Sequence, residues 1–65
     1  MMSTVTERYE ELATQLDSIC EQLSELAFDA LREAAERGEG KNPEIGKRLT
    51  RAMRATEKAA ALLRE

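Results

Sequence analysis

The sequence predicts an all-α fold, a hairpin of one long and one shorter antiparallel helix, on three observations. Apolar residues recur without interruption at heptad spacing from Val5 to Ala30. A second run of the same period extends from Ile45 to Leu63. Between the two lie two glycines and a proline within six residues. Alternating intervals of four and three residues keep one apolar stripe on one side of a helix, a pattern that strands do not share. Composition agrees. Ala, Glu, Leu and Arg dominate, 35% of the chain is charged, and Tyr9 and Phe28 are the only aromatic residues; these dominant residues are strong helix formers.

The first helix is expected over about 4–37. Thr4 followed three residues later by Glu7 has the form of a capping box, in which each side chain accepts a backbone amide left unpaired at the helix start. Val5, Tyr9, Leu12, Leu16, Ile19, Leu23, Leu26 and Ala30 form the heptad stripe, and Ala13, Cys20, Ala27 and Ala34 form a column of small residues beside it. Together they make a stripe wide enough for two neighbours. Gly38 and Gly40 end the helix, since glycine accepts the left-handed conformation that closes a helix C-terminus, and Arg37 suits the negative end of its dipole. Residues 38–41 then form a tight turn.

Asn42-Pro43-Glu44 restarts a helix over about 43–64, with Asn as cap, Pro in the first turn and Glu at the positive end. Ile45, Leu49, Ala52, Thr56, Ala59 and Leu63 form its stripe, with Met53 and Ala60 alongside. Gly46 costs about 1 kcal/mol relative to Ala in a helix. Either it permits a close helix contact, or the regular helix begins only at Lys47. The two helices differ in charge: residues 4–37 carry nine acidic and three basic residues, residues 43–65 three acidic and six basic. Antiparallel packing of one on the other is therefore favourable, although each exposed pair contributes only ~0.2–1 kcal/mol.

Sixty-five residues form one small domain. A chain of this size buries only roughly 60% of the surface that it exposes when unfolded, and small domains usually gain stability from disulfides, a metal or a partner. Cys20 is the only cysteine and there is no histidine, so neither an internal disulfide nor a closed zinc site of Cys and His can form. A partner remains. At 1.5 Å rise per residue the first helix is about 50 Å long and the second about 33 Å, so the second is expected to reach back only to about Leu16. The stripe beyond it would face water. Such a contiguous apolar strip marks an interaction surface, and a two-fold homodimer, a four-helix bundle, is its simplest cover. The expected interface comprises Val5, Tyr9, Leu12, Leu16, Ile19 and Leu23. Phe28 and Leu31 lie off the stripe. Gradual rotation of a straight helix against the heptad would bring them into the hairpin; otherwise they form a patch for a further partner or are simply exposed.

Lys47, Arg51, Arg54 and Lys58 form a basic stripe opposite the apolar seam of the second helix, with Arg48 at its edge. The expected reading is a solvated face turned towards acidic residues of the first helix. The alternative is a nucleic-acid-binding face, in which these cations displace counterions from phosphates, although no aromatic residue is interleaved for base stacking. The glycines around Lys41 and Lys47 lack the spacing of a phosphate-binding loop, the following Ser or Thr, and a preceding strand. The acidic residues Glu10, Glu11, Asp17, Glu21 and Glu25 lie away from the seam. Only Glu33 continues it, and without histidine the pattern of a helical di-metal site is missing. Cys20 reads as a small apolar filler, since no base is available to activate it as a nucleophile.

In size and hairpin architecture the chain resembles the small plasmid-encoded RNA-binding helical hairpins that dimerise into four-helix bundles. No motif matches, so no residue role is carried over. The function expected is therefore a small non-enzymatic interaction protein, a homodimeric adaptor or regulator, with no cofactor, metal or membrane partner. Nucleic-acid binding by the hairpin dimer is the alternative. The N-terminus has no basic segment followed by an apolar run, no segment is apolar over the ~20 residues that span a bilayer, and a lone cysteine suits a reducing compartment. The cytoplasm is the expected location.

Overall fold

The computed structural model describes residues 4–38 and 43–65. It contains two helices, α1 over Thr4–Glu36 and α2 over Pro43–Leu63, packed against one another as an antiparallel hairpin, with no strand among the described residues. The helix boundaries match the expected 4–37 and 43–64 to within a residue. The hairpin is a rod of 57 × 15 × 10 Å with a radius of gyration of 15.8 Å, against about 11 Å for a globular chain of this length.

The helix ends differ in part from expectation. Thr4 is itself helical, so it does not cap the helix and no Thr4–Glu7 box forms; the start of the helix lies outside the described residues. At the other end Gly38 adopts φ +69°, the left-handed conformation foreseen for a glycine cap. Its amide donates to the Ala35 carbonyl at 3.1 Å, and the Arg37 amide to that of Glu33 at 3.1 Å. These bonds satisfy carbonyls that would otherwise be unpaired. The expected Asn42 cap and the turn residues 39–41 lie outside the described residues. Neither expectation for Gly46 holds. The helix runs regularly through it from Pro43, and a Cβ added there would meet nothing within 4 Å.

Small residues form the line of contact between the helices. Ala13 is 0% and Ala60 3% exposed, and they are the only buried apolar residues among those described. Cys20, Leu16, Leu23, Ala27, Ala30 and Ala34 of α1 are half-buried, as are Leu49, Ala52, Met53, Thr56, Ala59 and Leu63 of α2. The Thr56 hydroxyl donates to the Ala52 carbonyl of its own helix at 2.7 Å, which satisfies a polar group at the seam without a cross-helix partner. No large side chain is fully buried among the described residues. The hairpin has a seam but hardly a core.

Candidate interaction surface

The column of small residues, Ala13, Cys20, Ala27 and Ala34, turns α1 towards α2. This fixes where every other column of the heptad lies. Val5, Leu12, Ile19 and Leu26, each seven residues apart, sit two columns round from the small residues and remain 44–56% exposed along the whole helix. Their near-constant exposure over three heptads places this column on one open side of the hairpin. Tyr9, exposed as well, stands at the free N-terminal end of the column formed by Leu16, Leu23 and Ala30.

Ion pairs identify the opposite broad side of the hairpin. Arg64 binds Asp17 at 2.8 Å and Glu10 at 3.2 Å, with both carboxylates one column beyond the small residues. The pairing holds the Asp17 carboxyl below the usual carboxylate range and the Arg64 guanidinium above its ordinary value, in each case chiefly through the hydrogen bonds between them. The Cys20 thiol lies on the same side, 3.7 Å from Glu57 Oε1 and 3.9 Å from the Met53 carbonyl. Desolvation first, and then the Glu57 charge, raises its pKa. It is therefore an un-ionised thiol at neutral pH, poor as a nucleophile.

The other broad side is mainly apolar. Leu26 and Ala30 of α1 meet Ile45 and Leu49 of α2 across an open groove of about 360 Å³, with Glu44 and Arg48 also lining it. By heptad position Ala52, Ala59 and Leu62 continue this side along α2. The hairpin is thus a two-sided slab, one broad side carrying the cross-helix ion pairs and the other an apolar strip running its full length.

Several sequence expectations change accordingly. Arg64 reaches both Glu10 and Asp17, so α2 ends level with the turn between them, about one turn past Leu16. It begins level with Ala30, as the shared groove shows. The open apolar strip is therefore a side of the hairpin and not only an overhanging end. Of the expected interface residues, Val5, Tyr9, Leu12 and Ile19 lie open on it, whereas Leu16 and Leu23 are half-buried at the edge of the seam. Leu26, Ile45 and Leu62 belong to the strip and were not among them. The signal was present, since Leu26 repeats the spacing of seven from Val5. Phe28 and Leu31, 66% and 58% exposed, lie off the strip and do not enter the hairpin; rotation of the helix does not account for them.

Lys47, Arg51, Arg54 and Lys58 lie on the outer back of α2 as expected, all exposed. Among the described residues none of the four pairs with an acidic residue of α1. The cross-helix ion pairs among the described residues all use Arg64, while Asp29–Arg32 at 2.6 Å and Glu33–Arg37 at 4.0 Å stay within α1. The reason is geometric, because the stripe points away from α1. Among the described residues no group of three or more acidic or cysteine side chains is placed to hold a metal ion, and no helix is long and apolar enough to cross a membrane.

These features define a class, a helical hairpin with one uncovered apolar side. Compared with protein-family models, with curated proteins and with solved structures, the chain matches none.

Proposed function

We propose that this chain is a homodimerising helical interaction protein, an adaptor or regulator without a catalytic centre, in which the apolar side of one hairpin packs on that of a second. The accessible surface carries this reading. The chain exposes 5565 Å², whereas a globular monomer of 7.3 kDa exposes about 4,200 Å². The excess of roughly 1,400 Å² exceeds the ~800 Å² that each partner contributes to a standard interface. Val5, Leu12, Ile19, Leu26 and Ile45, each 44–56% exposed, supply apolar area to it. Light scattering at micromolar concentration is expected to give a mass near twice 7.3 kDa; a monomer with intact helicity at that concentration contradicts the proposal.

The unpaired basic back of α2 favours nucleic-acid binding as a second reading. Pairing through the apolar side leaves that stripe outside, with four cations over about 16 Å of helix. Retention on heparin that weakens with salt, and falls when Arg51 and Arg54 are both replaced by Glu, supports it. Passage through heparin at low salt rejects it.

A further inference from the structure

The column beside the apolar strip, on the side of α1 away from α2, reads Arg8, Gln15, Gln22 and Asp29, with Glu36 beyond them at the end of the helix, all exposed. Its charges are opposite at its two ends and absent in the middle, so the column is complementary to its own reverse. The apolar residues share this property. When two copies of α1 run antiparallel, one register pairs all eight stripe residues: Val5 with Ala30, Leu12 with Leu23, Ile19 with Leu16, and Leu26 with Tyr9 of the second copy. In that register Arg8 lies beside Asp29 of the second copy, twice by symmetry, and Gln15 lies beside Gln22. A shift of one heptad towards the C-terminus sets Glu33 against Tyr9 and leaves Val5 without an apolar counterpart. A shift the other way removes the counterpart of Ala30 and sets Leu26 against Met2, outside the described residues.

From this complementarity we infer that the second copy docks with its first helix antiparallel on α1, about a two-fold axis passing beside residues 17 and 18, with Arg8–Asp29 pairs at both ends. The inference rests on the dimer proposed above. The other two-fold arrangement sets α1 over α2 of the second copy. Glu44 shares a groove with Ala30 and so stands level with Asp29, which would bring two carboxylates together. The antiparallel pairing of first helices avoids this despite the net acidity of α1, because Glu7, Glu11, Glu21 and Glu25 point away from the strip. Arg8 makes no ion pair with any described residue. Asp29 is bound only to Arg32, at an exposed i,i+3 site from which it can be shared.

Charge exchange tests the arrangement on the full chain. Arg8→Asp and Asp29→Arg are each expected to weaken dimerisation about tenfold, since each sets like charges together at two symmetric sites. The double variant is expected to recover most of that loss. A second measurement uses Cys20→Ser chains: a mixture of Gln15→Cys and Gln22→Cys chains is expected to form a disulfide-linked dimer on mild oxidation, whereas neither chain links to itself. If the Cys20→Ser chain is dimeric by light scattering but the mixture does not link, or the double exchange fails to recover, the orientation is overturned and the dimer stands. If the unmodified chain is monomeric, both fall.

Discussion

Ile19→Asp is expected to abolish the dimer and, at micromolar concentration, the cooperative unfolding transition with it. Ile19 stands in the middle of the open apolar column, 45% exposed in the single hairpin. Burying an isoleucine contributes about 1.5–3 kcal/mol, and an unpaired carboxylate in a closed interface adds a desolvation penalty of several kcal/mol. A two-fold interface contains the substitution twice. The combined loss exceeds the few kcal/mol that a core of this size supplies. Ser18→Asp, on the outer back of the same turn, provides the control and is expected to change stability by no more than about 0.5 kcal/mol. Light scattering and thermal unfolding followed by circular dichroism read both. An Ile19→Asp chain that stays dimeric and melts as the parent does removes the apolar side from the interface.

The second large effect belongs to the seam. Ala13→Leu is expected to destabilise the protein by about 1–3 kcal/mol, the usual result of forcing extra methylenes into a filled contact, although leucine is the larger apolar residue and an equally good helix former. Ala13 is completely covered, and the small residues in its column set how closely the two helices approach. Ala61→Leu, at an exposed position on the outer back of α2, introduces the same side chain with no contact to crowd and is expected to leave stability nearly unchanged. Urea unfolding distinguishes the two. A stabilised Ala13→Leu chain would mean that the helices can separate freely, and that the seam does not fix the hairpin.

Much of this architecture could be read from residue order alone. The helices, the left-handed Gly38 and the antiparallel hairpin follow from local chemistry, because heptad spacing, glycine and proline act within a few residues of where they stand. The register between the helices did not follow. No rule of spacing fixes it, because a heptad pattern orders the residues along one helix and says nothing of the offset between two. Placing the end of α2 about one turn short made the open apolar surface look like an end when it is a side. The same limit applied to charge. Opposite net charges on the helices predicted attraction, yet Lys47, Arg51, Arg54 and Lys58 point outward and Arg64 alone spans the gap. Net charge has no direction, and the heptad position of each cation was the better guide. Phe28 and Leu31 show the limit of the period itself, for the drift invoked to bury them leaves both exposed.

The scarcity of interior has a cellular corollary. A hairpin whose only buried apolar residues among those described are Ala13 and Ala60 opens readily when single, and proteases degrade chains in proportion to the open fraction. When folding is coupled to pairing, mass action ties that fraction to abundance. Newly made copies are then short-lived until enough accumulate to find each other, and turnover slows as synthesis rises. Such a chain would respond to its own expression level with a threshold rather than in simple proportion.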